Sequence, residues 1–325
     1  MRKNFLIFLL SLLLCALALI IMFFNQKTGF PKNYEIASWY WEPISLLDAN
    51  KTEELVSFCK QKGTNTIYLS INEYLDILES NKPEDQKTID KEKFLDNLDN
   101  FLTKTAGAKI NVHALVGGVD LAEADYEYIP VRLTSFVTEY NKTHVHGFTG
   151  IQYDIEYYNS KSFKKELFAE KSIAYLNLLD ELSTAHISMG VTIPYWFDTK
   201  YKDLLFDYKD QKADILTHIY KVISKHEPGY IVIMAYKNKA DGAGGVIEVT
   251  KYELDLIEKL NLDGKVSLLI GQETDPNVSY DITYAGKGDK YFKRQLEIIS
   301  KFYKNNKALK GFAVHSLSSY IRWFN

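Results

Sequence analysis

From Tyr34 to the C-terminus, short runs of β-branched and aromatic residues alternate with longer stretches whose apolar residues recur at helical spacing. Short apolar runs bounded by polar or glycine-marked joints read as buried parallel strands, and the intervals read as crossover helices. Strands are expected at 35–41 (EIASWYW), 65–72 (NTIYLSIN), 109–116 (KINVHALV), 147–156 (GFTGIQYDIE), 186–196 (HISMGVTIPYW), 230–236 (YIVIMAY), 266–273 (VSLLIGQE) and 311–317 (GFAVHSL). Helices are expected near 51–62, 90–105, 130–142, 165–184, 212–225, 247–260 and 289–305. Eight such repeats predict an α/β fold, a single (β/α)8 barrel over residues 34–325. The joints from helix to strand are short and carry Gly63, Gly107 and Gly264, whereas those from strand to helix at 73–89, 197–211 and 274–288 are long. Long strand-to-helix joints mark the face where barrels of this kind hold their chemistry. An open doubly wound sheet would want a glycine-rich turn after its first strand, and none follows Trp41.

The first 24 residues do not belong to that rhythm. Phe5 to Phe24 is an uncharged, mostly apolar run preceded by Arg2 and Lys3, and about 20 such residues are what a helix needs to cross a bilayer. The basic flank stays cytoplasmic, so residues 1–24 predict a transmembrane signal-anchor, residues 25–33 (NQKTGFPKN) a linker, and the barrel an extracytoplasmic domain held at the cell membrane. Cleavage after Ala16-Leu17-Ala18 would instead give a secreted protein. It would leave Leu19 to Phe24 as an exposed apolar terminus, and the retained anchor is the better reading.

The chain is 46% hydrophobic, 14% aromatic and 25% charged, with a net charge of -3. Arg2 and Lys3 are the only charges in residues 1–24, so the remainder carries 37 basic against 42 acidic residues, a poor surface for nucleic acid. The histidines are scattered, with His144 and His146 the one close pair and placed where a strand begins; no metal or cofactor is expected. Cys15 and Cys59 offer no disulfide framework.

Candidate chemistry sits on the fourth strand. Side chains alternate along it, so Gln152, Asp154 and Glu156 share one face while Ile151, Tyr153 and Ile155 share the other. The apolar set belongs beneath the helices. The polar set then faces the barrel axis, with Glu156 at the C-terminal end of the strand and Asp154 one pleat, about 7 Å, below. Two carboxyls confined together resist ionising together, and one keeps a proton near neutral pH, as a general acid must. Glu42, Glu73, Asp120, Asp198 and Glu273 fall at other strand ends, and Trp39, Tyr40, Trp41, Tyr157, Tyr158, Tyr195 and Trp196 crowd the same rim. Acids interleaved with flat aromatic faces suit carbohydrate.

The run Thr149-Gly150-Ile151-Gln152-Tyr153-Asp154-Ile155-Glu156 resembles the end of the fourth strand in glycoside hydrolase family 18, the chitinase-like barrels, where the motif is Asp-x-x-Asp-x-Asp-x-Glu. Thr149 and Gln152 replace the first two aspartates, and Asp154 and Glu156 occupy the last two positions. Met234-Ala235-Tyr236 is similar to that family's Met-x-Tyr on strand six, followed here by Lys237 where an Asp is usual; His315 stands where the family places a Trp under its central sugar. The resemblance implies a divergent retaining glycosidase acting on an N-acetylhexosamine-containing polysaccharide. Glu156 would be the acid/base, Asp154 would orient a substrate acetamido group that attacks the anomeric carbon, and Tyr236 would contact that group. Trp39, Trp41, Gln152, Trp196, Glu273 and His315 are the candidate substrate-binding residues. Two alternatives stand beside this reading: a retaining glycosidase in which Glu273 is the nucleophile opposite Glu156, and a non-catalytic glycan-binding barrel at the cell surface.

Overall fold

The computed structural model describes residues 30–31, 33–225 and 228–324. Five parallel strands come first: β1 (Glu35–Tyr40), β2 (Thr66–Ser70), β3 (Asn111–Gly118), β4 (Gly150–Ile155) and β5 (Ser188–Pro194). A small antiparallel hairpin comes next, β6 (Phe206–Tyr208) and β7 (Gln211–Ala213), and then β8 (Gly229–Met234), β9 (Val266–Glu273) and β10 (Leu309–His315). All but the hairpin strands close into one barrel, in which β5 pairs with β8 and β10 returns to β1. The eight predicted strands are those of the barrel, with ends within about two or three residues of the expected ones.

The helices are α1 (Ala49–Lys62), α2 (Glu73–Glu79), α3 (Glu84–Gly107), α4 (Tyr128–Thr143), α5 (Phe168–Leu182), α6 (Phe197–Tyr201), α7 (Ile215–Ile223), α8 (Val246–Lys259), α9 (Asp289–Phe302) and α10 (Leu317–Phe324). Local chemistry sets several of their ends. The Asp48 carboxylate accepts the N–H of Lys51 at 2.8 Å and so caps α1, which stops at Gly63 in the left-handed region. Asp214 caps α7 in the same way through Thr217 N–H. Pro83 precedes α3, and Glu84 and Asp85 occupy its first turn, where negative charge favours a helix start.

Three stretches depart from the sequence-based expectation. Residues 73–89, expected as a long loop, hold α2 and the first turn of α3; 197–211 holds α6 and much of the hairpin; and the last strand stops at His315, leaving 317–324 to form an eighth outer helix, α10. Each of α2, α6 and α10 is eight residues or shorter, too short to display helical periodicity and stable only through tertiary packing. The proposed membrane segment, residues 5–24, lies outside the described residues. Among the described residues, no helix is long and apolar enough to cross a membrane.

The alternation along β4 works as expected. Ile151, Tyr153 and Ile155 lie in the apolar layer between sheet and helices, where the Tyr153 hydroxyl meets that of Thr134 on α4 at 2.7 Å. Inside the barrel, Trp39, Tyr68, Leu115, Tyr230, Val232 and Leu269 make a separate apolar cluster. Tyr68 and Tyr230 stack at 5.9 Å, and the Tyr230 hydroxyl is 2.6 Å from Nδ1 of His113. Burial pushes the His113 imidazole down to about 4, so it is neutral at physiological pH and plugs the axis without bringing charge into it. Room for the Tyr230 ring comes from Gly190, where a Cβ would fall 2.0 Å from the ring's Cζ.

Gly190→Ala is therefore expected to destabilise the barrel by about 1–3 kcal/mol, the usual cost of overpacking. Adding Tyr230→Leu, which removes the clashing ring, should recover part of that loss in urea denaturation. Independent, additive losses in the two substitutions would contradict this account of the barrel floor.

Candidate active site

Glu156 is the first residue after β4, and its backbone is pinned to the neighbouring strand by an N–H to Gly118 carbonyl bond of 3.2 Å. Its carboxylate accepts the side-chain amide of Asn159, one turn further on. Asp154 lies one pleat lower, opposite Gly117 in the register of β3 and β4. Gly117 has no side chain for a reason: a Cβ there would lie 2.7 Å from the Trp41 ring, so the glycine lets Trp41 lie across the end of β3.

Two chambers open at the C-terminal mouth of the barrel. One, of about 340 Å³, is lined by Trp41, Gly117, Gly118, Val119, Asp154, Glu156, Met234, Tyr236 and His315. The other, of about 330 Å³, is lined by Glu156, Tyr158, Asn159, Pro194, Tyr195, Trp196, Met234, Tyr236 and Ile282. They share Glu156, Met234 and Tyr236, so a chain threaded through both would pass the Glu156 carboxylate where one chamber meets the next. A larger groove of about 870 Å³ runs between α8 and α9 past Ile247, Ile298 and Phe302. It is lined by the loop after β8 and the outer helices and contains neither Asp154 nor Glu156.

Asp154 is 9% exposed, and its Oδ1 has no hydrogen-bond partner. Burial first, and then the charge of Glu156, push its carboxyl up to about 7; His315 in its charged form and a hydrogen bond from Thr192 oppose the rise without cancelling it. Thr192 is itself held by the Gln152 amide, which donates to its hydroxyl at 2.7 Å. Gln152 thus reaches Asp154 through one intermediary, and at 0% exposure it does not reach the cleft.

Around His315 the groups interlock. Nδ1 of His315 is 2.8 Å from the Glu273 carboxylate, whose other oxygen accepts the backbone N–H groups of Thr274 and Asp275, each at 2.7 Å. The indole N–H of Trp41 donates to Nε2 at 3.1 Å. Burial disfavours a charged His315, but the hydrogen bond and charge of Glu273, with help from Asp154, outweigh it and raise the imidazole above its ordinary value. The Trp41 contact pulls the other way, because it requires Nε2 to be unprotonated. In the arrangement observed, the ring proton sits on Nδ1 and is donated to Glu273; charging the ring would require Trp41 to turn aside.

Of the residues singled out from sequence, the structure brings Asp154, Glu156, Tyr236, Trp41, Trp196 and His315 to the two chambers. It places Trp39, Gln152 and Glu273 beneath them, at 1%, 0% and 3% exposure. Trp39 packs on Tyr68 and His315 inside the barrel. Glu273 is covered because the loop after β9 folds back over it, bridging Glu273 to Thr283. Glu73 is also turned away and holds Ser45 through its backbone N–H and hydroxyl. Sequence reasoning named Met234 only as part of the Met-x-Tyr run and missed Asn159 and Thr192; of these two, only Asn159, three residues past Glu156, carried a local signal. Among the described residues, no group of three or more His, Cys, Asp or Glu side chains is placed to hold a metal.

The sequence matches no known protein-family profile and no curated protein. Among solved structures, the chain is similar to an exo-β-1,4-mannosidase from an Opitutaceae bacterium, with a TM-score of 0.52 and 10% identity. That match covers 89% of this chain and 54% of the mannosidase, so the chain spans about half the length of that protein. It is also similar to a glycoside hydrolase family 5 enzyme from Prevotella bryantii solved with a xyloglucan oligosaccharide (TM-score 0.51, 11% identity, 89% and 92% covered). A third likeness is to a family 1 β-glucosidase from Exiguobacterium antarcticum (TM-score 0.52, 12% identity, 89% of each chain covered). Identities this low establish the shared barrel fold.

The buried Asp154 makes stability depend on pH in a definite direction. Its carboxyl is raised above its unfolded value, so the stability associated with its protonated form is complete below about pH 4 and is lost as pH rises through about 7. Asp154→Asn, which cannot ionise, should therefore gain stability relative to the parent protein as pH rises from about 4 to 8 in matched thermal melts. A parallel pH dependence in the two proteins would contradict the assignment.

Proposed function

We propose that the protein is a retaining glycosidase that cleaves an N-acetylhexosamine-containing polysaccharide, with the acetamido group of the substrate as nucleophile. The observation that carries this reading is Asp154 Oδ1, buried and without a partner, one pleat below Glu156. An acceptor in that position suits the N–H of an acetamido group lying in the Trp41 chamber. Such a bond would aim the amide oxygen at the anomeric carbon. Glu156, where the chambers meet, would give its proton to the glycosidic oxygen as that bond breaks and the amide oxygen closes on the anomeric carbon. It would then take a proton from the water that reopens the ring, which preserves the anomeric configuration. Tyr236 lines both chambers and would hold the acetamido oxygen from the opposite wall.

The barrel likeness to glycosidases of other families keeps a second enzymatic reading in view, with Glu273 as nucleophile. Its two carboxylate oxygens, however, are committed to His315 and to two backbone N–H groups. A nucleophile buried in this way would have to be uncovered, and one of its oxygens freed from its present contacts, before it reached a sugar. A glycan-binding barrel without catalysis has less to recommend it, since binding alone does not call for a proton donor at the point where the chambers meet.

Glu156→Gln should fold normally and lose turnover by at least about a hundredfold on N-acetylhexosamine oligomers, the scale of general acid catalysis. Asp154→Asn should lose on the order of a hundredfold through misorientation of the reacting group, and Glu273→Gln should lose less. Full activity in Glu156→Gln would refute the acid assignment; a covalent sugar on Glu273, trapped with a fluorinated glycoside and found by mass spectrometry, would establish the second mechanism.

The apolar run 5–24 behind Arg2 and Lys3 supports an anchored barrel on the outer side of the cell membrane. Protease added to cells whose outer layers have been opened should digest the barrel while cytoplasmic proteins survive. A protected barrel under those conditions would reverse the topology.

A further inference from the structure

The chamber beyond Glu156 is lined by Tyr195 and Trp196, the two rings that would ordinarily offer flat faces to the CH surface of a neutral sugar. Each also carries an ammonium group close to its ring. The Lys200 Nζ lies 4.1 Å from the centre of the Trp196 ring, held there because the Lys200 N–H bonds the Trp196 carbonyl across one turn of α6. The Lys237 Nζ lies 4.9 Å from the centre of Tyr195, and Lys237 directly follows Tyr236 in the cleft wall. Neither ammonium makes an ion pair among the described residues. Asp281 feels the charge of Lys237, yet it is exposed to solvent and does not close a salt bridge with it. Two cations thus stand beside the rings that line this chamber, which adds a preference for negative charge to what stacking alone would recognise.

We propose that this chamber receives a sugar bearing an anionic substituent, a carboxylate or a sulfate or phosphate ester, on the leaving-group side of the scissile bond, with Lys200 and Lys237 as its specificity determinants. The inference rests on the glycosidase reading for the words "leaving-group side"; the anion preference itself rests only on the lysines and rings. The Glu156 carboxyl also borders this chamber, and the anion would sit beside the two lysines rather than against it.

The test uses the full chain in detergent, carrying Glu156→Gln so that bound oligosaccharides are not consumed. Three tetrasaccharide probes are titrated calorimetrically: β-1,4-linked N-acetylglucosamine, the same backbone with a lactyl carboxylate on alternate sugars, and the same backbone 6-sulfated. At least one anionic probe should bind about fivefold to tenfold more tightly than the neutral one, the scale that two partly exposed charge contacts supply. The preference should shrink in 0.5 M salt and fall toward unity in Lys200→Met/Lys237→Met, while the stronger of the two anionic arms identifies the source of the charge. Equal binding of all three probes, or a preference that survives the double substitution, would overturn the proposal. Failure of the glycosidase reading registers separately, as an absence of cleavage of every probe by the parent protein.

Discussion

Closing a sheet into a barrel leaves every second side chain of β4 with one direction to point, toward an axis with no bulk water. That constraint forces Gln152 and Asp154 inward and makes ionisation of Asp154 costly. It also lifts Glu156, the next residue in the same alternation, to the level where the axis opens into a cleft. The properties of the site derive from this spacing of two residues: a buried carboxyl below, a reachable one above, and a proton that the pair holds near neutrality. Elements further out serve to keep this geometry fixed, including Gly117 making way for Trp41, Thr192 and Gln152 steadying Asp154, and Glu273 fixing the ring of His315.

Much of this was legible in the sequence because period-2 alternation and turn chemistry are local. Ile151, Tyr153 and Ile155 under the helices, Asp154 and Glu156 toward the axis, and Gly63 at the end of α1 are all set by residues within a few positions of one another. Depth was not legible. Alternation states which face a residue takes but not how many pleats separate it from the rim, and that distance depends on the tilt and stagger of strands far apart in the chain. Trp39 and Trp41 differ by two positions, yet one is sealed inside the barrel and the other is 36% exposed over the cleft. Glu273 ends its strand as Glu156 nearly does, but the loop 274–288 returns to cover it, a contact that spacing along the chain does not encode. The short helices α2, α6 and α10 escaped notice for a related reason, since their stability comes from neighbours rather than from a repeating pattern.

The two halves of the cleft are built from different materials. The Trp41 chamber is assembled from strand ends, with positions set by backbone pairing between β3 and β4 and by the His315 contacts. The Trp196 chamber is made largely from segments beyond the strand ends: the turn after Glu156, the start of α6 and the residues after β8. Reaction geometry thus rests on the rigid part of the fold, and the residues that would choose among substrates rest on connections that tolerate change.

The layer of Trp39, Tyr68, His113 and Tyr230 has a further consequence. It fills the barrel below Asp154 with packed rings and a neutral imidazole. The open side of this carboxyl is the chamber it shares with Glu156 and His315, so exchange of its proton with solvent is directed there. Under the glycosidase reading, a sugar seated over Asp154 would slow that exchange, and the pH at which it binds would set the fraction of molecules that carry the proton when the ligand arrives.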